Sequence, residues 1–397
     1  MQTALKLSMA LAVVIMFGNC SSLDAPENIE PIATGDGYQA QYRKVEKRTE
    51  EAAFLQSETM NTEKCLPYRG GVAGKSPSGL LGERLTRNDL VDIRIGDDDT
   101  FSGAYVVSRD GTLKLPFLDP VRAQGRRTRE IERDIARKLV AEDFFKEPPR
   151  ISVRVADFAS VNVGVSGAVF EPHAVEIGGV PGDGLDGRRQ DALGASTEAR
   201  NLSAALRAAG GIRPDADLSA VELRRGGKVH KLDMRGVFLG ENMVDVMLLT
   251  GDQISVPSRQ CFQDDLMRPS PISPPGISLF VSNLTQPATG NAPSANGQQV
   301  RQVPYGSRYL QAVININCVG GAKTTSANRS AVLFSRNPLT RVSVVIERNI
   351  EQLMRRPERD DYDPYLLPGD ALACYDSSIT NIAEVGRVLG ILASPGG

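Results

Sequence analysis

Histidine is scarce in this 397-residue sequence: His173 and His230 are the only two. Histidine-based catalysis and zinc or copper binding therefore have few groups to draw on. Cysteine is limited to five residues, and no C-x-x-C spacing occurs, so the usual pattern of a structural zinc site is missing. An excess of either charge is lacking too, since 46 Lys and Arg against 48 Asp and Glu leave a net of −2. No sequence-wide basic field exists to hold nucleic acid. The apolar run from Leu7 to Phe17 has 11 residues, too short for a permanent membrane-spanning helix, which needs roughly 20. What is present is a globular composition, 41% apolar and 24% charged, in a length that suits two or three domains. The 38 Gly and 24 Pro point to many turns between short strands.

Met1 to Cys20 reads as a secretory signal, with Lys6 as its positive charge and the Leu7–Phe17 run as its apolar core. Cys20 stands where a lipoprotein signal places its lipidated cysteine, although Asn19 replaces the small residue usual before it. Two outcomes stay open, lipidation of Cys20 or ordinary cleavage near Ser22. Lipid on Cys20 would tether a soluble body to a membrane, and Ser21 resembles the sorting pattern for the outer one. Cys65, Cys261, Cys318 and Cys374 form an even set in a chain bound for an oxidising compartment, with three possible pairings.

Tyr38 to Met60 is rich in Glu, Lys, Arg, Gln and Ala and reads as a polar helix or a loose linker. Tyr68 to Gly82 looks like a boundary, and folding is expected to begin at Leu85. Asp89–Ile95 and Tyr105–Val107 read as strands, and Asp110-Gly111 signals a hairpin turn. The returning strand Thr112–Phe117 would put Leu113, Leu115 and Phe117 on one face, with Pro116 at an edge or bulge. A helix follows, with Thr128 as its N-cap, a stripe of Ile131, Ile135 and Leu139, and Arg129, Glu132, Arg133 and Arg137 toward water. Ile151–Val155 alternates as a strand, completing an α+β unit.

An internal repeat comes next. Gly210-Gly211 recurs as Gly320-Gly321, Ala220–Arg225 as Ala331–Arg336, and Thr250–Val256 as Pro368–Cys374, so that Gly251-Asp252 answers Gly369-Asp370. Each copy opens with a strand, Val161–Gly167 or Ile277–Ser282, and carries a helix before its glycine pair, Leu202–Ala209 or Tyr309–Ile316. A Pro- and Ser-rich stretch, Met267 to Gly276, reads as the linker between copies. In this alignment Cys374 falls on Val256 and Cys318 on Ala208, both apolar, so both thiols should face inward. A Cys318–Cys374 disulfide is then conceivable, leaving Cys65 with Cys261; two buried free thiols are the alternative.

These residues resemble the bacterial outer-membrane polysaccharide export proteins, an export domain followed by soluble-ligand-binding β-grasp domains. Leu85–Ile93 is similar to the family's opening strand, with Arg87-Asn88-Asp89 in place of its usual Pro-Gly-Asp. Tyr105 to Pro116, with Tyr105, Val107, Asp110, Gly111, Leu115 and Pro116 as motif positions, resembles its most distinctive stretch. Val165–Pro172 and the two Gly-Asp endings are similar to its ligand-binding repeats. The resemblance implies an α+β architecture: signal 1–20, N-terminal linker or helical region 21–82, export domain 83–157, β-grasp repeats 158–262 and 277–376 around a linker 263–276, and a C-terminal amphipathic helix 377–393. It further implies a homo-oligomeric ring, lipid-anchored in the outer membrane with its bulk in the periplasm. Such a ring would conduct a capsular or exopolysaccharide passed on by an inner-membrane polysaccharide co-polymerase. No enzyme activity, catalytic residue, cofactor, metal or nucleic acid is implied. A channel for an anionic polymer needs weakly binding polar walls. Arg122, Arg126, Arg127 and Arg129, and secondarily Arg355, Arg356 and Arg359, are the basic clusters that could contact it, or simply solvated charge.

Gln286 to Val303 reads as a loop insertion in the second copy, and Asp97–Asp99 and Asp360, Asp361 and Asp363 as surface loops without EF-hand spacing. Ser377 to Ala393 carries Ile379, Ile382, Val385, Leu389 and Leu392 on one helical side and Asn381, Glu384 and Arg387 on another. That helix could line an outer-membrane barrel, as the resemblance implies for pore-forming members, or pack on a domain. A periplasmic ligand-binding or adaptor protein that does not span the outer membrane is the alternative function.

Overall fold

The computed structural model of the chain describes residues 65–70, 78–96, 98–178, 199–241, 245–283, 300–316, 318–319, 329–339, 341, 343–355 and 362–375. Cys20, the stretch 38–60 and the amphipathic stretch 377–393 lie outside the described residues. The fold is α+β, with five α-helices and several sheets among those residues.

The first unit holds β1 (Leu90–Ile95), β2 (Asp98–Val106), β3 (Thr112–Leu113), β4 (Val121–Arg122), α1 (Thr128–Ala141) and β5 (Ile151–Asp157). Its three-stranded antiparallel sheet has the order β2-β1-β5. Alternation in β1 turns Val91, Ile93 and Ile95 inward, where they meet Ile131, Ile135 and Leu139 of α1 in one core with Leu85, Phe101 and Val153. Each such fully buried side chain contributes about 1.5–3 kcal/mol. Three local expectations need correction. The N-cap of α1 is Arg127, and Thr128 is already helical. Glu132 does not simply face water, because its carboxylate accepts the Val153 N–H at 2.9 Å and so ties the helix to β5. The Asp110-Gly111 turn exists, but β3 pairs with β4 rather than returning along β2. Pro116 offers no N–H to extend a ladder, and Phe117 beyond it is 79% exposed at a φ of 55°, not on the inner face.

The second unit contains β6 (Val161–Gly167), β7 (Ala174–Ile177), α2 (Leu202–Ala208), β8 (Val221–Arg225), β9 (Lys228–Leu232), a single helical turn α3 (Gly236–Leu239) and β10 (Gln253–Val256). The third contains β11 (Ile277–Asn283), β12 (Val300–Val303), α4 (Tyr309–Asn315), β13 (Ser330–Arg336), β14 (Ser343–Asn349), α5 (Ile350–Arg355) and β15 (Ala371–Tyr375). Their sheets run β7-β6-β10-β8-β9 and β12-β11-β15-β13-β14, the same order of strands in both. In each, the first and last strands form a parallel central pair, β6 with β10 and β11 with β15. The duplication is therefore structural, with two register differences from the sequence alignment. Leu223 and Leu333 hold equivalent places opposite Ile254 and Leu372, so β8 and β13 match one residue away from the sequence pairing. The helix-ending bond from Gly211 N to Leu206 O (2.9 Å) recurs from Cys318 N to Val313 O (3.0 Å), which puts Cys318 opposite Gly211 rather than Ala208. Gly320 and Gly321 lie outside the described residues. The last four residues of the stretch read as a loop insertion, Val300–Val303, are an edge strand, β12.

Two disulfides join Cys65 to Cys261 and Cys318 to Cys374, with Cα–Cα separations of 4.9 and 6.0 Å. The first explains why residues 65–70 are not a free lead-in. Leu66 exchanges bonds with Arg259, whose guanidinium lies 3.8 Å from the Tyr68 ring centroid. The Arg69 and Gly70 amides donate to Asp217 and Ser219. The stretch Met267 to Gly276 is also packed, not free. Ile272 and Ser273 are buried, Ile272 O accepts from Ile212 N at 3.0 Å, and Pro271 O accepts from Arg207. Gly211 permits this approach: at its φ of 81° a Cβ would stand 2.3 Å from Pro274 N.

Candidate functional site

Three turns of one design open three strands. In Thr86–Asp89, Leu249–Asp252 and Leu367–Asp370 the first amide donates to the aspartate Oδ2 at 2.7, 2.8 and 2.9 Å. The aspartate amide donates back to the first carbonyl in all three. The third residue takes a left-handed φ, 70° at Asn88, 92° at Gly251 and 87° at Gly369. Asn tolerates that conformation better than most residues, so Arg87-Asn88-Asp89 does the work of a Gly-Asp turn.

The partner of each aspartate differs. Asp89 Oδ1 accepts from Arg200 Nη1 at 2.8 Å and from Ala159 N at 3.0 Å, both charges being fully buried. Arg200 also donates to Arg84 O at 2.9 Å and lies 4.7 Å over the Phe158 ring. Since Arg200 stands one residue before the Asn201 N-cap of α2 while Asp89 precedes β1, this buried pair bolts the first sheet unit to the second. Burial pushes the Asp89 carboxyl up and Arg200 pulls it back. Asp252 is gripped by Arg225 through Nε and Nη2. In the second copy Ser335 stands at the place of Arg225, and its hydroxyl donates to Asp370 Oδ1 at 2.7 Å. Without a cation beside it, burial pushes the Asp370 carboxyl up to about 7.

The remaining motif positions shape one corner of the first unit. Val107 and Leu115 are buried, Tyr105 is partly buried and donates to Phe101 O at 2.9 Å, and Pro116 is exposed. Asp110 accepts from the Thr112 amide and hydroxyl, and Gly111, at a φ of 80°, accepts from Ala123 N and Gln124 N. This holds β3 against β4 beneath the basic cluster.

That cluster is not uniform. Arg126 is committed to Glu130 and Asp134 and to the carbonyls of Arg122 and Glu130, so it is a structural residue rather than a free contact. Arg122, Arg127 and Arg129 are exposed, Arg127 also donating to Leu81 O at 2.6 Å. Arg355 is exposed and paired with Glu351 at 3.1 Å, while Arg356 and Arg359 lie outside the described residues. Asp363 is no surface-loop residue: it is buried and accepts the Leu310 amide at 2.8 Å at the start of α4. Asp97, Asp360 and Asp361 lie outside the described residues. Among the described residues, no group of three His, Cys, Asp or Glu is placed to hold a metal. His173 is exposed and His230 partly buried.

The part that carries the turn, the Tyr105–Pro116 corner and the basic helix is the part that matches a known family. Residues 82–156 match the family model of the polysaccharide biosynthesis/export proteins. The match takes in β1 to β4, α1 and β5 to its penultimate residue, and it supports a role in polysaccharide export. That family is consistent with a place in the cell envelope, and no helix among the described residues is long and apolar enough to cross a membrane. Sequence reasoning treated Asp89 as the start of a strand and missed its role. The signal was available in its likeness to the two Gly-Asp turns. Arg200 had no such signal, because an arginine beside a predicted helix looks like any solvated charge.

Proposed function

We propose that the chain is a subunit of a homo-oligomeric ring that conducts a capsular or exopolysaccharide outward through the periplasm to and across the outer membrane. Cys20 would carry the lipid that anchors it there, and an inner-membrane polysaccharide co-polymerase would feed it. The two duplicated sheets would be soluble-ligand-binding domains of the β-grasp kind. The observation that carries this reading is the export-domain match over residues 82–156, locked by Asp89 and Arg200 to the first of two like-folded units. Exposed Arg122 and Arg127 would offer an anionic polymer weak, repeated contacts, which is what passage without stalling requires.

A periplasmic component that leaves the membrane crossing to another protein is the second reading, favoured by the exposed Phe280, Val300 and Phe334 on one face of the third-unit sheet, an apolar surface on which the C-terminal segment can pack outside a membrane. In a strain lacking the chain, surface polysaccharide is expected to disappear and to return with the intact gene; undiminished polysaccharide would overturn the export role. An epitope placed after Gly397 separates the two forms. Labelling on intact cells is expected for a chain that crosses the outer membrane, and labelling only after permeabilisation for one that stays periplasmic.

A further inference from the structure

The two duplicated sheets differ on the face turned away from their helices. Following the pairing register across the third-unit sheet, Val300, Phe280, Ala371, Phe334 and Val345 fall in one row over all five strands. Phe280 is 54% exposed, Val300 49% and Phe334 41%, whereas their neighbours Leu279, Leu333 and Leu372 are buried on the opposite face. The same row in the second unit reads Ala174, Gly164, Gln253, Arg224 and Val229, with two polar side chains at its centre. One sheet therefore presents an apolar stripe to solvent and its duplicate does not.

The stripe has the shape of a trough. Ala371 and Ala373 form its floor along the central strand β15, and Phe280 and Phe334 rise on the strands to either side. Those flanking strands stand about 9–10 Å apart, and an α-helix with side chains is about 10–12 Å wide. β15 ends at Tyr375 and is the strand from which the chain continues into 376–397. Four residues on, the apolar series Ile379, Ile382, Val385, Leu389 and Leu392 begins at helical spacing. Connections of two to six residues between a strand and a following helix are usual in compact domains, and a connection of that length leaves a helix after Tyr375 within reach of this sheet's own outer face. The duplicate supplies a contrast: β10 runs into Pro257 and the packed Cys261 segment, with no amphipathic series, and its sheet has no apolar row. Apolar face and amphipathic follower occur in the same copy.

We propose that residues 377–393 form a helix that docks along β15 on the outer face of the third-unit sheet of their own chain, with Val385 seated between Phe280 and Phe334. The proposal does not rest on polysaccharide export and says where this segment resides when it is not in a membrane.

The test uses purified full-length protein with a photocrosslinking phenylalanine analogue at position 280, and separately at position 224 as the matching place on the second-unit sheet. Mixed heavy- and light-isotope chains tell contact within a chain from contact between chains. Light-induced crosslinks from position 280 into 377–393 of the same chain, none from position 224, and loss of the crosslink on Val385→Asp but not on Glu384→Ala are expected. Crosslinks from 280 to a neighbouring chain, to other segments, or to nothing would overturn the proposal. Export is not read in this experiment, so its failure leaves the export reading standing, and the loss of that reading would leave the docked helix standing.

Discussion

Asp370 and Asp252 occupy equivalent turns, yet replacing each by asparagine should have opposite effects. Burial without a cation has moved the Asp370 carboxyl from 3.8 to about 7. A carboxyl whose folded value is raised gives stability that is present at low pH and lost as pH climbs from the unfolded value toward the folded one. The difference corresponds to about 4 kcal/mol, lost between roughly pH 4 and pH 7. Asp370→Asn removes the charge while keeping the geometry: its oxygen can accept from Leu367 N and its amide can donate to the Ser335 hydroxyl. The variant should therefore flatten the pH dependence and, at pH 8, protect the third unit by about 1–4 kcal/mol relative to the parent chain. Asp252→Asn instead leaves Arg225 largely buried without a counter-charge, at a cost of about 3–5 kcal/mol. The assay is amide hydrogen exchange of the peptides covering 221–225, 253–256, 330–336 and 371–375 at pH 5 and pH 8, because a chain of three units has no single unfolding free energy. An Asp370→Asn chain that exchanges faster at pH 8, or keeps the parent's pH slope in β13 and β15, would refute this account of the buried carboxyl.

Other outcomes follow from the same structure. Arg200→Met should destabilise the junction of the first and second units by about 3–5 kcal/mol by stranding the Asp89 charge. Adding Asp89→Asn, which removes the charge and keeps an oxygen for the Thr86 amide, should recover part of that loss, as a double-mutant cycle read by amide exchange in β1 and α2 would show. Cys65→Ser should cost about 2–4 kcal/mol and free residues 65–70 to limited proteolysis, while leaving exchange in β13 to β15 unchanged. Arg122→Glu combined with Arg127→Glu should lower surface polysaccharide at unchanged melting temperature. Arg126→Glu should lower the melting temperature, since Arg126 holds Glu130 and Asp134.

The regular elements were legible wherever one periodicity ran uninterrupted. The Ile131, Ile135, Leu139 stripe and the alternation of β1 and β5 needed only local pattern, and the structure buries those side chains. The duplication was legible from three short landmarks, though glycine pairs and arginine runs misled the register by one to three residues. Edge strands β7 and β12 were not, because four residues give too few alternations to stand out from a turn. The hairpin after β2 failed for a related reason: Asp-Gly predicts the turn, while the partner of the returning strand is chosen by long-range packing. The Asp89–Arg200 pair joins residues 111 apart in sequence, and nothing local marks which charged side chain will be buried. Its recurring half, the Asp turn, was readable; its arginine was not.

The bond between Cys65 and Cys261 also has a mechanical meaning. A pull on the chain's amino-terminal side enters at Cys65 and can pass through the sulfur bridge straight to Cys261. Residues 66–260, which hold the whole export domain and the second-unit sheet, form a closed covalent loop that bears none of that end-to-end tension. The Cys318–Cys374 bridge shields 319–373 in the same way, so a body held at a membrane by one end and loaded at the other would carry the tension through 262–317, with β11, β12 and α4, and leave the region that matches the export family slack.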